Sequence, residues 1–327
     1  SLLAVRLVER LGVFRTIIGS VALTALALVG FSTVGSFWQI CLWAIPYGLG
    51  AGAIDAALNT YVSIHYAARH MSWLHCMWGV GASAGPLVMA ACLARGTWHL
   101  GFLAIGIIQF VIVGLIAPSR ELWAKAAAHA SEDGESLPPS SRRQLLRLPG
   151  VREVFVCFFC YCALESSCGM WAASYCTLAR GISASEAAGW ASLFYLGITA
   201  GRAASGFLTL RFDDKAMIRL GQALVTAGIV LVLLPVGNAT LPVGLVMIGC
   251  GCAPIYHSII HATPARFGEQ NALSITGMQM AFAYVGSVMA PIFGLVAEFV
   301  SIGLYPFYLA VILVLMVVMA ERANRIV

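Results

Sequence analysis

A chain of 327 residues that is 60% hydrophobic and only 10% charged, with a mean hydropathy of +0.89, lacks the polar surface of an ordinary soluble enzyme. Its net charge of +5 does not gather on one face but lies in the short connections between apolar blocks, so nucleic acid is not implied as a partner. The ten cysteines fall almost entirely inside those blocks, where a thiol acts as a small hydrophobe.

A hydrocarbon core about 30 Å thick takes about 20 apolar residues in a helix, and backbone polar groups there find no water. Each block is therefore read as a membrane helix. Ten are predicted: 14–35, 37–63, 72–94, 98–117, 153–179, 187–210, 216–236, 241–261, 272–297 and 304–320. The fold class expected is an all-α integral membrane protein, with the lipid bilayer as its surroundings. The polar stretch containing SEDGESLPPSSRR has the composition of a linker. It divides the chain into an N-terminal helical bundle (1–117), a linker (118–150) and a C-terminal six-helix bundle (151–327).

Cytoplasmic loops collect Lys and Arg. With the linker inside, alternate connections place Arg6, Arg10, Arg15, Arg69, Arg211, Lys215, Arg266 and Arg322 inside too, and leave Arg95 and Arg180 outside. Linker and C-terminus are then cytoplasmic, and the plasma membrane is the expected location. Arg202 lies two turns before a cytoplasmic connection and is read as snorkelling inward.

An internal repeat organises the chain. Arg6 recurs as Arg211, Gly81 as Gly286 and Pro86 as Pro291, each 205 positions on (211 − 6, 286 − 81, 291 − 86). Two copies of one helical bundle form the parallel-repeat plan of many transporters. By that offset the first helix and most of the second are expected to precede Ser1, with ten helices present of an expected twelve.

The segment GRAASGFLTLR, from Gly201, and its first-half copy LLAVRLVERLGVFR resemble the basic turn between the second and third helices of the major facilitator superfamily. Gly81, Gly85 and Pro86 resemble the glycine-proline motif of its fifth helix. Within the superfamily, YCALESSCGMWAASY around Glu165 and GLGAGAIDAALNTYVSIHY around Asp55 are similar to the seventh and fourth helices of fucose permease-like sugar:proton symporters. The resemblance implies a two-bundle monomer that works by alternating access, with proton-coupled uptake of a sugar or similar small polar solute. It implies no enzyme activity and no cofactor. A drug or metabolite exporter of the same superfamily is one alternative, because the Gly81 to Pro86 motif accompanies antiporters. A transport-incompetent membrane sensor or fragment is another.

Intramembrane acids face a cavity or a partner, because lipid exposure of a charge is costly. Asp55 has Asn59 one turn later on the same face, which suits a substrate hydroxyl or a proton as well as a packing hydrogen bond. Glu165 lies mid-span with no basic residue between Arg152 and Arg180, so it is read as a proton-coupling carboxyl or as a permanently neutral acid. The 205 offset puts His261 one residue past the counterpart of Asp55, and His257 one turn before it. Both are expected to look into the central cavity, and no metal is predicted for want of a third ligand. Trp171, Tyr175, Tyr195, Gln279 and Tyr284 are candidates for the pocket wall, since sugars present apolar faces to rings and hydroxyls to amides. Arg6, Arg10, Gly81, Pro86, Gly201, Arg202 and Arg211 are assigned to conformational change, the arginines as a latch to Glu9, Asp213 or Asp214.

Overall fold

The computed structural model describes residues 4–93, 97–121, 123, 142–234 and 237–326. No strand occurs among them. The helices are α1 (Ala4–Leu11), α2 (Val13–Phe31), α3 (Phe37–His65), α4 (Ala68–Leu93), α5 (Trp98–Ile116), a short α6 (Arg142–Leu145), α7 (Val151–Arg180) and α8 (Ala184–Leu208). They continue as α9 (Asp214–Leu233), α10 (Thr240–His261), α11 (Thr263–Phe267), α12 (Glu269–Gly286), α13 (Met289–Val296) and α14 (Tyr305–Ile326). Most of the expected linker, 124–141, lies outside the described residues.

Local chemistry sets the ends. Gly181, in the left-handed region with φ of 69°, stops α7. Ser183 then caps α8 through the Glu186 amide, and Asp213 caps α9 through the Ala216 amide at 2.8 Å. The block expected as one helix over 272–297 is broken at Ser287 and Val288, four residues before Pro291. Proline has no N–H to return to the Ser287 carbonyl, and its ring crowds that turn.

By length and composition, seven segments among the described residues are able to cross a membrane, and the last, Glu269–Ile326, contains two of the ten expected spans. The helices 68–93 and 184–208 complete the ten. His75 of the first and Arg202 of the second meet at the site.

Around α7 the core is made of Phe155, Phe158, Tyr161 and Leu164, all essentially unexposed, with small cysteines filling the gaps between them. No metal-binding group of three or more His, Cys, Asp or Glu is found among the described residues. Close helix approach relies on glycine. A Cβ on Gly50 would meet the Ser20 carbonyl oxygen at 2.7 Å and Thr24 Cγ2 at 2.8 Å, and one on Gly251 would meet the Gly221 carbonyl oxygen at 2.6 Å and the Val225 nitrogen at 2.7 Å. The two contacts are copies of each other, and their members lie 201 positions apart (251 − 50, 221 − 20, 225 − 24). The register in these helices is thus 201, not 205. It makes Tyr256, not a residue next to His261, the counterpart of Asp55.

Contacts between the two sets of helices join α4 to α8, α3 to α12, and α10 to both α3 and α4. Trp73 lies edge-on to Phe207, ring centroids 5.3 Å apart, over Gly206, and Gly79 meets Thr199. This interface positions every residue of the candidate site.

Candidate functional site

Asp55 and Asn59 stand one turn apart on α3, as the spacing requires, and Asn59 Nδ2 donates to Asp55 Oδ1 at 3.0 Å and to its carbonyl at 2.8 Å. With its amide nitrogen committed, Asn59 presents its oxygen as acceptor, at 3.0 Å from His75 Nε2. That fixes the imidazole tautomer: His75 carries its proton on Nε2. From the other side the Tyr284 hydroxyl of α12 donates to Asp55 Oδ2 at 3.2 Å. A directed chain therefore runs His75 to Asn59 to Asp55, and Tyr284 closes it across the interface.

His75 stacks on His257 with centroids 6.3 Å apart and meets the Tyr256 ring edge-on at 4.7 Å. Both histidines and Asn59 are buried. Arg202, only 4% exposed, donates from Nη1 to the His75 carbonyl at 3.3 Å and lies 4.3 Å from the centre of the Trp78 ring. Its Nη2 is 3.8 Å from Glu165 Oε1. Glu165 keeps 20% exposure, so the pair is reached from one side.

The expectation that Glu165 lacks a basic neighbour is corrected here, because its partner comes from α8 rather than from its own helix. The inward latch expected of Arg202 is corrected by the same contact. Asp213 is engaged with the Ala216 amide, and among the described residues neither Arg6, Arg10 nor Arg211 forms an ion pair with Glu9, Asp213 or Asp214. Arg6 and Arg10 instead line a cavity of about 870 Å³ between α1, α2, α3 and α12.

Four pocket candidates turn elsewhere. His261 Nδ1 is 2.7 Å from Asp214 Oδ2 at the far end of α10, a full turn beyond the interface cluster. Trp171 donates its indole N–H to the Ala290 carbonyl at 2.8 Å and packs edge-on against Phe293, so it fastens α7 to α13. Gln279 is fully buried and exchanges hydrogen bonds with Thr263 at 3.0 and 3.2 Å, which ties α12 to α11. Tyr175 is buried against Tyr305. Gly201 allows α8 to touch Cys250 and Ala253 of α10, whereas nothing lies within 4 Å of a Cβ placed on Gly81. The side chain of Pro86 is outside the described residues.

Sequence reasoning missed His75, Trp78 and Tyr256. The signal for His75 was present, since an ionisable residue inside a span is a site candidate whatever its type. Tyr256 was hidden by the four-residue difference in register.

The family model described as Major Facilitator Superfamily matches residues 1–291. Bypass of stop codon protein 6 of Saccharomyces cerevisiae is 25% identical over 239 residues, 66% of this chain and 48% of that protein. The glucose/mannose transporter GlcP of Bacillus subtilis is 26% identical over 113 residues, 34% of this chain and 28% of that one. The matched region thus spans less than half the length of either relative. Among solved structures, the fucose:proton symporter FucP of E. coli superposes with a TM-score of 0.73 at 14% identity, covering 98% of this chain and 86% of that one. The human organic anion transporter MFSD10 gives 0.70 at 13% identity, covering 94% and 77%. A two-bundle helical fold with this match over most of its length identifies the chain as a member of the Major Facilitator Superfamily.

Proposed function

We propose that this protein is a proton-coupled secondary transporter of a sugar or similar small polar solute, working by alternating access as a monomer in the plasma membrane with its linker and C-terminus cytoplasmic. The observation that carries this reading is the polar cluster at the helix interface, to which α3 and α4 contribute Asp55, Asn59 and His75, and α7, α8, α10 and α12 contribute Glu165, Arg202, His257 and Tyr284. A solute bound there touches both halves, so its binding energy differs between two rocking arrangements, as any coupled change requires. The similarity to GlcP, a glucose/mannose transporter matched over a third of the chain, supports a sugar-like solute.

The mechanism follows from the charges. Glu165 and Arg202 neutralise each other when the site is empty, which lets the pair stay in a low-dielectric interior. Protonation of Glu165 releases Arg202, and the two charge states favour different arrangements of α7 against α8. Asp55, fixed by Asn59 and Tyr284, offers an acceptor to solute hydroxyls.

The test is uptake into proteoliposomes of labelled hexoses, polyols, sugar acids and lipophilic cations, with and without an inward proton gradient. Accumulation of a small polar solute only with the gradient, abolished by Glu165→Gln, supports the reading. Outward movement of lipophilic cations alone replaces it with an exporter.

A further inference from the structure

The chain contains two arginine–carboxylate pairs that differ in one respect. At Arg219 the Nε and Nη2 edge of the guanidinium is filled by Glu321, with both bonds at 2.7 Å, although that pair is exposed. At Arg202, which is buried, the same edge is empty. Nε has no hydrogen-bond partner, and Nη2 stands 3.8 Å from Glu165, beyond hydrogen-bonding distance. An exposed arginine left open is served by water, but a buried one left open is under-satisfied. Tyr161 Oη and both ring nitrogens of His257, also buried, likewise lack partners of good geometry, and they lie within electrostatic reach of Arg202.

We propose that the solute carries a carboxylate, and that it docks on the Nε and Nη2 edge of Arg202 with its hydroxyls toward Asp55, Asn59 and Tyr161. The substrate class is a small polyhydroxylated acid such as a hexuronate. This deepens the transporter reading and rests on it. A planar carboxylate matches that edge with two parallel bonds, as Glu321 shows at Arg219, while Trp78 holds the face of the guanidinium. Neutral hydroxyls do not call for a buried cation.

The charge balance sets the energetics. In the empty site, Glu165 is ionised and balances Arg202. On loading, a proton from the outer solution moves onto the Glu165 carboxylate, and the solute carboxylate takes over Arg202. On release the proton leaves with the solute and the original pair re-forms. The pair with its load sums to zero in both states and Asp55 is unchanged between them, so the cycle carries one proton with one monoanion and moves no net charge. The titratable and charged groups facing this pair are His75 of α4, Asp55 of α3, Tyr195 of α8 and Tyr284 of α12. From α7 and α10 come Tyr161, Cys162, Cys168, Cys252, Tyr256 and His257, and Tyr305 of α14 lies behind Cys168. Arg202 is the one fixed cation in this set.

The experiment is uptake of labelled galacturonate and galactose by the purified protein in proteoliposomes, with the pH gradient and a potassium diffusion potential imposed separately. The expected result is galacturonate accumulation driven by the pH gradient and unchanged by the potential. Galactose accumulation that an interior-negative potential enhances and galacturonate does not compete with overturns the carboxylate proposal but leaves the transporter reading intact. If neither solute moves, the wider solute panel decides the transporter reading, and thermal melting decides this proposal alone. A melting temperature raised by galacturonate in the wild type but not in Arg202→Lys upholds it, and no rise in the wild type overturns it. Glu165→Gln provides a gain that misfolding does not mimic. With Arg202 freed of its internal carboxylate, galacturonate is expected to bind about tenfold tighter at neutral pH, whereas weaker binding overturns the proposal.

Discussion

Position for position, the helix pairs α2–α3 and α9–α10 share a backbone plan and differ in chemistry. Gly50 rests on Ser20 and Thr24 as Gly251 rests on Gly221 and Val225. In that register Asp55 corresponds to Tyr256, Ala56 to His257 and Asn59 to Ile260. One copy brings an acid and an amide to the interface, and the other brings a phenol ring and an imidazole. Seat filling differs as well. Gly249 receives Phe194 and Ile198 of α8, whereas its counterpart Gly48 has nothing within 4 Å and lines the 870 Å³ cavity. Repetition sets where backbones approach, and departures from it create the site.

Four substitutions break or sharpen that comparison, in descending order of effect. Gly251→Leu forces a side chain into the Gly221 and Val225 backbone, and the expected loss is at least the roughly 1–3 kcal/mol of overpacking, read as a collapse in folded yield on size-exclusion chromatography. Asp55→Ala removes the side-chain acceptor of the Asn59 amide, which keeps its bond to the residue-55 carbonyl, and that of the half-exposed Tyr284 hydroxyl, costing about 1 kcal/mol in thermal stability and lowering solute uptake by about tenfold or more. Trp171→Phe removes one hydrogen bond, to Ala290, for about 1 kcal/mol, and lowers the melting temperature while leaving the solute KM unchanged. A changed KM there would return Trp171 to the pocket. Gly48→Ala projects into open space and is expected to alter stability by no more than about 0.5 kcal/mol, in contrast with the same change at Gly249, beside the Phe194 carbonyl.

Composition and span length made the helical membrane fold legible, because only helices and closed barrels satisfy the backbone in lipid, and apolar runs of about 20 residues are the length of a spanning helix, not of a barrel strand. The ten spans match observed helices, with 272–297 divided before Pro291. The site was legible only in part. Asp55 and Asn59 meet because they share a helix, and one-turn spacing is written in the sequence. Glu165 and Arg202 meet because α7 lies against α8, a contact that no local pattern encodes. Gln279 and Trp171, read as pocket residues, bond to neighbouring helices that no local pattern encodes either. An amide or an indole within a span has to find some partner, and only the packing decides whether that partner is a solute or a neighbouring carbonyl.

The central proposal is that one interface cluster binds solute and proton together. Its most direct test is the proton movement that solute itself triggers, followed with a pH-sensitive dye in weakly buffered detergent solution of the purified protein. The wild type is predicted to take up a proton when the transported solute is added, and Glu165→Gln to bind the solute without taking one up. Solute binding with no proton uptake in the wild type, or undiminished uptake in the Glu165→Gln variant, would contradict the account.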